Sequence, residues 1–226
     1  MSWISESAKR GSELRKHYKM HDIEIFIKDP LPEIVDADFV FKYIASRLPS
    51  YLMTEVDIVY IGEFEQLQSR NINAMFEDGA IFVSNEQTNE MDLIDDIVHE
   101  VAHSIEKKYV EIIYADGSLE KEFKTKRKML YDILVQKGKN PPPETVTTVN
   151  FNKTLDDYFF EDLGYSKLSQ ISTFAKLFID PYSATSIREY FASAFDQFFL
   201  GDKMLIRNYC PVLFKKLLQL TELEEQ

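Results

Sequence analysis

Residues 95–106 read Asp95-Asp96-Ile97-Val98-His99-Glu100-Val101-Ala102-His103-Ser104-Ile105-Glu106. With Leu93 upstream, Ile97, Val101 and Ile105 recur every four residues, which predicts an amphipathic helix over residues 92–109. On such a helix His99 and His103 stand one turn apart and project from one face. Two imidazoles so placed can share one zinc ion. Glu100, beside the first of them, then lies next to a water that zinc would acidify. From there its carboxylate can take a proton and pass it to a leaving amine. The apolar stripe gives the same helix a core face, so one segment carries both fold and chemistry.

A catalytic zinc takes three protein ligands and keeps one position open. The chain has four histidines, and none of the others lies near these two. The third ligand is therefore a carboxylate or one of His17 and His21. Those two are also spaced i, i+4, but no acid follows His17, and they read as surface residues. Among the carboxylates Glu189 stands out, in Arg188-Glu189-Tyr190-Phe191-Ala192-Ser193-Ala194-Phe195. A carboxylate buried in so apolar a helix is costly unless something neutralises it, and a metal does. The plainer roles for Glu189 are pairing with Arg188 or capping the helix behind Thr185 or Ser186.

The pair of motifs, His99-Glu100-Val101-Ala102-His103 and, far downstream, residues 189–195, resembles the gluzincin metallopeptidases. The likeness is to the catalytic domain of the anthrax lethal factor group and the related Pro-Pro endopeptidases. It covers about residues 56–200. It implies that His99, His103 and Glu189 hold one zinc per chain and that Glu100 is the general base. It also implies that Tyr182, two helical turns before Glu189, supports the oxyanion or the leaving amine. Two features depart from the family pattern. The gap between His103 and Glu189 is long, which makes residues 121–143 an insertion, and Ser193 occupies a position that is often acidic. Asp95 and Asp96 are then alternative partners for orienting a ligand, or simply acids in a helix's first turn.

The remaining sequence frames this reading. Of the 226 residues, 26 are Lys or Arg and 38 are Asp or Glu, a net charge of −12 that argues against a general nucleic-acid surface. Hydrophobic residues make up 45%, too many for a disordered chain. The single cysteine, Cys210, excludes an intrachain disulfide framework. No stretch approaches 18 uninterrupted apolar residues, so no membrane span is expected. Residues 1–11 lack an apolar core and do not read as a signal peptide. A cytoplasmic setting is expected, or a virion or non-classical export route, as for a phage or mobile-element peptidase.

Along the chain, residues 6–20 have a helical tone, and residues 21–27 and 56–61 read as strands. A helix is expected from Asp36 to Pro49 and a short one over 63–70. Asp78-Gly79 between two apolar runs signals a hairpin. Residues 121–128 form a basic cluster expected on a solvated helix, and residues 138–143 read as a linker. Residues 155–178 read as helical with a break near Gly164. Helices over 187–200 and 210–223 follow.

The expected fold is α+β and zincin-like: a small sheet with a hairpin edge and an active-site helix, then a mostly helical C-terminal half. Residues 1–50 are expected as an N-terminal extension. Residues 51–226 are expected as the metallopeptidase domain, with a linker-like insertion at about 117–150. The expected function is a zinc-dependent endopeptidase acting on peptide or protein, with no nucleic-acid or membrane partner. Self-cleavage near Pro141-Pro142-Pro143 follows as a possibility. The alternative is a catalytically weak or inactive zincin-fold structural or interaction protein, a virion component or effector.

Overall fold

The computed structural model describes residues 16–225. The chain divides into two compact units, the first ending at Ile105 and the second beginning at Glu106. The class is α+β, with a small mixed sheet in the first unit and helices throughout the second. Among the described residues, no helix is long and apolar enough to cross a membrane.

The first unit is built on five strands: β1 (Lys16–Met20), β2 (Ile23–Ile27), β3 (Ile58–Gly62), β4 (Ala74–Glu77) and β5 (Ala80–Ser84). Their spatial order is β1-β2-β3-β5-β4. The two outer pairs are antiparallel, and β3 runs parallel to β2 and β5. The β4–β5 turn is the expected hairpin, with Asp78 and Gly79 both at positive φ, 47° and 82°, as a tight two-residue turn requires. Alternation decides the faces. Ile25, Val59 and Ile81 are almost fully buried on one side, each removing a side chain worth about 1.5–3 kcal/mol from water.

Helix α1 (Ala37–Arg47) follows β2. Asp36 caps it by accepting from the Asp38 and Phe39 amides, and it stops at Leu48, which is extended because Pro49 follows. Phe41 of α1 meets Tyr18 of β1 on the buried face. Helix α2 (Glu90–Ile105) carries the two histidines and packs on β4 and β5.

Two expectations change here. The helical tone over residues 6–20 does not hold at its end, because Lys16–Met20 form β1. Tyr18 shares the buried face with Met20, so a period of two governs this segment. Residues 6–15, like the segment tested for a signal peptide, lie outside the described residues. In addition, residues 16–50 are not an appendage. They supply two of the five strands and α1, and the division of the chain falls at 105/106 rather than at 50.

The second unit contains α3 (Ser118–Gln136), α4 (Tyr165–Ala175), α5 (Ile187–Leu200), α6 (Lys203–Tyr209) and α7 (Pro211–Thr221), joined by single helical turns. A π-helical turn, Tyr158–Leu163, precedes Gly164, whose positive φ of 78° makes the expected break before α4. The core is largely aromatic. Phe123 of α3 meets Phe178 and Tyr190, and Phe195, Phe198 and Phe199 of α5 stack among themselves.

The stretch expected as a linker-like insertion includes the five-turn α3, and its basic cluster is not uniformly solvated. Arg127 is 1% exposed and Lys126 7%. A buried charge is tolerable only with its hydrogen bonds made. Arg127 donates to the carbonyls of Glu144 (3.1 Å), Thr145 (2.8 Å) and Ala184 (2.6 Å). Burial brings its pKa down to about 10. Lys126 donates to the carbonyls of Leu177 and Tyr209. From the same helix Glu122 accepts from the Val212 amide at 2.8 Å and the Tyr190 hydroxyl at 2.9 Å. That carboxylate suits the positive end of α7.

Candidate metal centre

Helix α2 is set by its N-terminus. Asn89 accepts from the Met91 and Asp92 amides at 2.8 and 3.2 Å, and Thr88 bonds to Asp92. Leu93, Ile94, Ile97, Val98, Val101, Ala102 and Ile105 are fully buried, and this fixes the helix's rotation. His99 and His103 are left half-buried on the flank, with ring centroids 4.9 Å apart and rings edge to face. Glu100 is buried beside them at 8% exposure.

One turn earlier, Asp96 accepts from the Gln87 side chain at 2.9 Å. Burial raises its pKa, against that hydrogen bond and the pull of His99. Burial, with Asp96 and Asp92 adding to it, raises Asp95 to about 6. Both carboxylates therefore lie within electrostatic reach of His99.

Helix α5 begins at Ser186, whose hydroxyl accepts from the Glu189 amide at 3.2 Å. This is a side-chain cap that holds the first turn. Thus Glu189 does stand in the capped turn behind Ser186. Its neighbour Arg188 donates to Glu106 at 2.7 Å and also feels the Glu189 charge. Glu106 is nearly buried, so this ion pair relieves a desolvated carboxylate. Tyr182 is 40% exposed on a 3-10 turn (Tyr182–Ala184) that packs against α5. Asp180 fixes that turn by accepting from the Ser183 amide at 2.7 Å.

His99, His103 and Glu189 each offer one ligand atom, and these atoms all lie within 4.8 Å of one another. The three could hold a metal ion. Two nitrogen donors and one carboxylate oxygen make a donor set of the kind found around catalytic metals that keep one non-protein position. His17 and His21 are not part of the group. His17 stacks on Phe26 and bonds to Glu24, and His21 occupies the β1–β2 turn at positive φ.

Several neighbours of Glu189 were not legible in the sequence. Tyr165 donates to Asp156 at 3.2 Å. Burial first, then Asp156, raises the Tyr165 pKa, and Glu189 adds to it. Tyr114 is raised mainly by burial and then by Glu106, with Glu189 contributing. Only Glu106 had a signal available, standing three residues after His103 on the same helical flank. Tyr114, Asp156 and Tyr165 reach the neighbourhood from helix ends and short helical turns that no local pattern announces. No protein-family model matches the chain, and no curated protein or solved structure matches it significantly.

Proposed function

We propose that the protein is a zinc-dependent endopeptidase. The observation that carries this reading is the convergence of His99, His103 and Glu189 into one metal-competent group, with Glu100 buried next to the first ligand. Zinc bound there would supply a Lewis acid and bring a water's pKa near neutrality. Glu100 is the base that removes that water's proton and delivers it to the leaving amine. Tyr182 contributes a phenol donor toward the developing oxyanion. Strand β4, at the sheet edge, offers unpaired backbone groups along which an extended peptide can add as a further strand.

The test combines metal analysis with cleavage of an unbiased peptide library. The protein as isolated is expected to contain about one zinc per chain. Glu100→Gln is expected to keep the zinc and lose about 10³-fold or more in cleavage rate. Metal-free protein, or unchanged turnover in Glu100→Gln, overturns the proposal. Zinc with no cleavage by the unaltered chain favours a structural or interaction role for the same fold.

A further inference from the structure

The sheet's second face carries a row in strict cross-strand register: His17, Phe26, Tyr60, Phe82 and Met75, one residue from each strand. The rings follow one another across the sheet at centroid distances of 4.6, 6.0 and 5.4 Å. Phe64 closes the row edge-on against Phe82, with Lys28 over its ring. This face is opposite the buried one, which Tyr18 shares with Phe41 of α1. Phe26 is 40% exposed, and Tyr60 and Phe82 remain partly exposed although they cover each other. A contiguous exposed apolar strip of this kind marks a contact surface.

The adjoining row on the same face identifies the occupant. It reads Lys19, Glu24, Ile58, Ala80, Glu77 in the same strand order. Place a two-fold axis parallel to the strands, over β3. Tyr60 and Ile58 then face themselves, and Phe26 faces Phe82 of the second copy. Lys19, at one edge, faces Glu77 of the second copy at the other edge, and symmetry makes this pair twice. The face therefore pairs ring with ring and opposite charge with opposite charge under that axis, as an isologous contact requires.

We propose that the protein self-associates through this face, sheet against sheet, in the aligned packing that two twisted sheets adopt. Four strands of five residues and one of four present a face of about 19 Å by about 17 Å. That is below the size of standard interfaces, so the association is expected to be weak and transient.

The test is sedimentation equilibrium of the full chain from about 1 to about 200 μM. A monomer–dimer equilibrium is expected within that range. Tyr60→Lys should shift the midpoint upward about tenfold or more, and Phe26→Lys, at a more exposed position, should do the same without risk to the fold. Lys19→Glu and Glu77→Lys should each weaken the dimer, and the two together should restore it. A monomer at every concentration overturns the proposal, as does a double charge exchange that fails to restore association. Trp3, the chain's one tryptophan, reports the competing occupant. A monomer whose Trp3 emission shifts in Phe26→Lys means that the chain's own N-terminal residues cover the face, and that outcome also overturns it.

Discussion

The two ligand-bearing helices are positioned by opposite means. Helix α2 is amphipathic. Its buried stripe fixes its rotation about its axis, and the rotation places His99 and His103. Helix α5 is buried on nearly every side beyond its first turn, from Tyr190 to Phe195 and again at Phe198 and Phe199. A helix enclosed all round gains little directional information from its apolar pattern. What places Glu189 is the helix end: the Ser186 cap and the carbonyls of Ala184 and Thr185 just before it, which Arg127 grips. One ligand pair is thus a consequence of local periodicity, and the third ligand is a consequence of contacts made from far along the chain.

This contrast can be broken at several points, the largest effect first. His103→Ala and Glu189→Ala should each weaken zinc binding by more than about 10²-fold, above the loss typical of outer-sphere partners, as measured with a competing chelator. If the contrast holds, the metal-free forms of both variants unfold close to the parent's midpoint, because α2 is held by its apolar stripe and α5 by its capped first turn.

Arg127→Met should cost about 3 kcal/mol in urea unfolding by removing the buried guanidinium from the Thr145 and Ala184 carbonyls. It should also weaken zinc binding without touching a ligand, through the first turn of α5. Arg188→Ala is expected to cost about 1 kcal/mol by removing the ion pair to the nearly buried Glu106 carboxylate, and Glu106→Gln in the same chain should recover most of it.

The smallest effect lies away from both helices. The Lys216 ammonium, then the Ser118 amide and hydroxyl, hold the Asp116 carboxyl down to about 2. Its folded pKa lies below its unfolded value near 4. It therefore favours folding above pH 4, and that contribution is lost as pH falls from about 4 to about 2. Asp116→Asn should flatten the acid limb of the stability profile over that window.

Most of what made the site readable comes from α2. The histidine spacing, the adjacent acid and the four-residue apolar repeat all lie within one helix. The Asp78-Gly79 turn and the helix between Asp36 and Pro49 were equally local, and the structure places both where the sequence indicates them. What escaped was non-local. Lys126 and Arg127 sit in a run of basic residues whose neighbours are solvated, and their burial depends on carbonyls 17 to 83 residues away. Strand β1 is short, charged and at the sheet edge, where alternation is weakest and edge-protecting lysines are expected. Its partner β2, with Ile23, Ile25 and Ile27 all buried, was plain.

The grip of Arg127 has a kinetic consequence. Its bond to Thr145 closes a loop of 18 residues, whereas that to Ala184 spans 57. Closing the longer loop costs about 1 kcal/mol more in chain entropy. The guanidinium should therefore engage the 144–145 turn first and wait for residue 184. During synthesis α2 emerges and can coil long before Glu189 exists, so the two-histidine half of the centre is the early product. The carboxylate arrives only when α3 has already folded and can hold it. If the group takes a metal, its loading is a late checkpoint on the second unit, and a chain that stalls before residue 184 should bind it no better than an isolated pair of histidines.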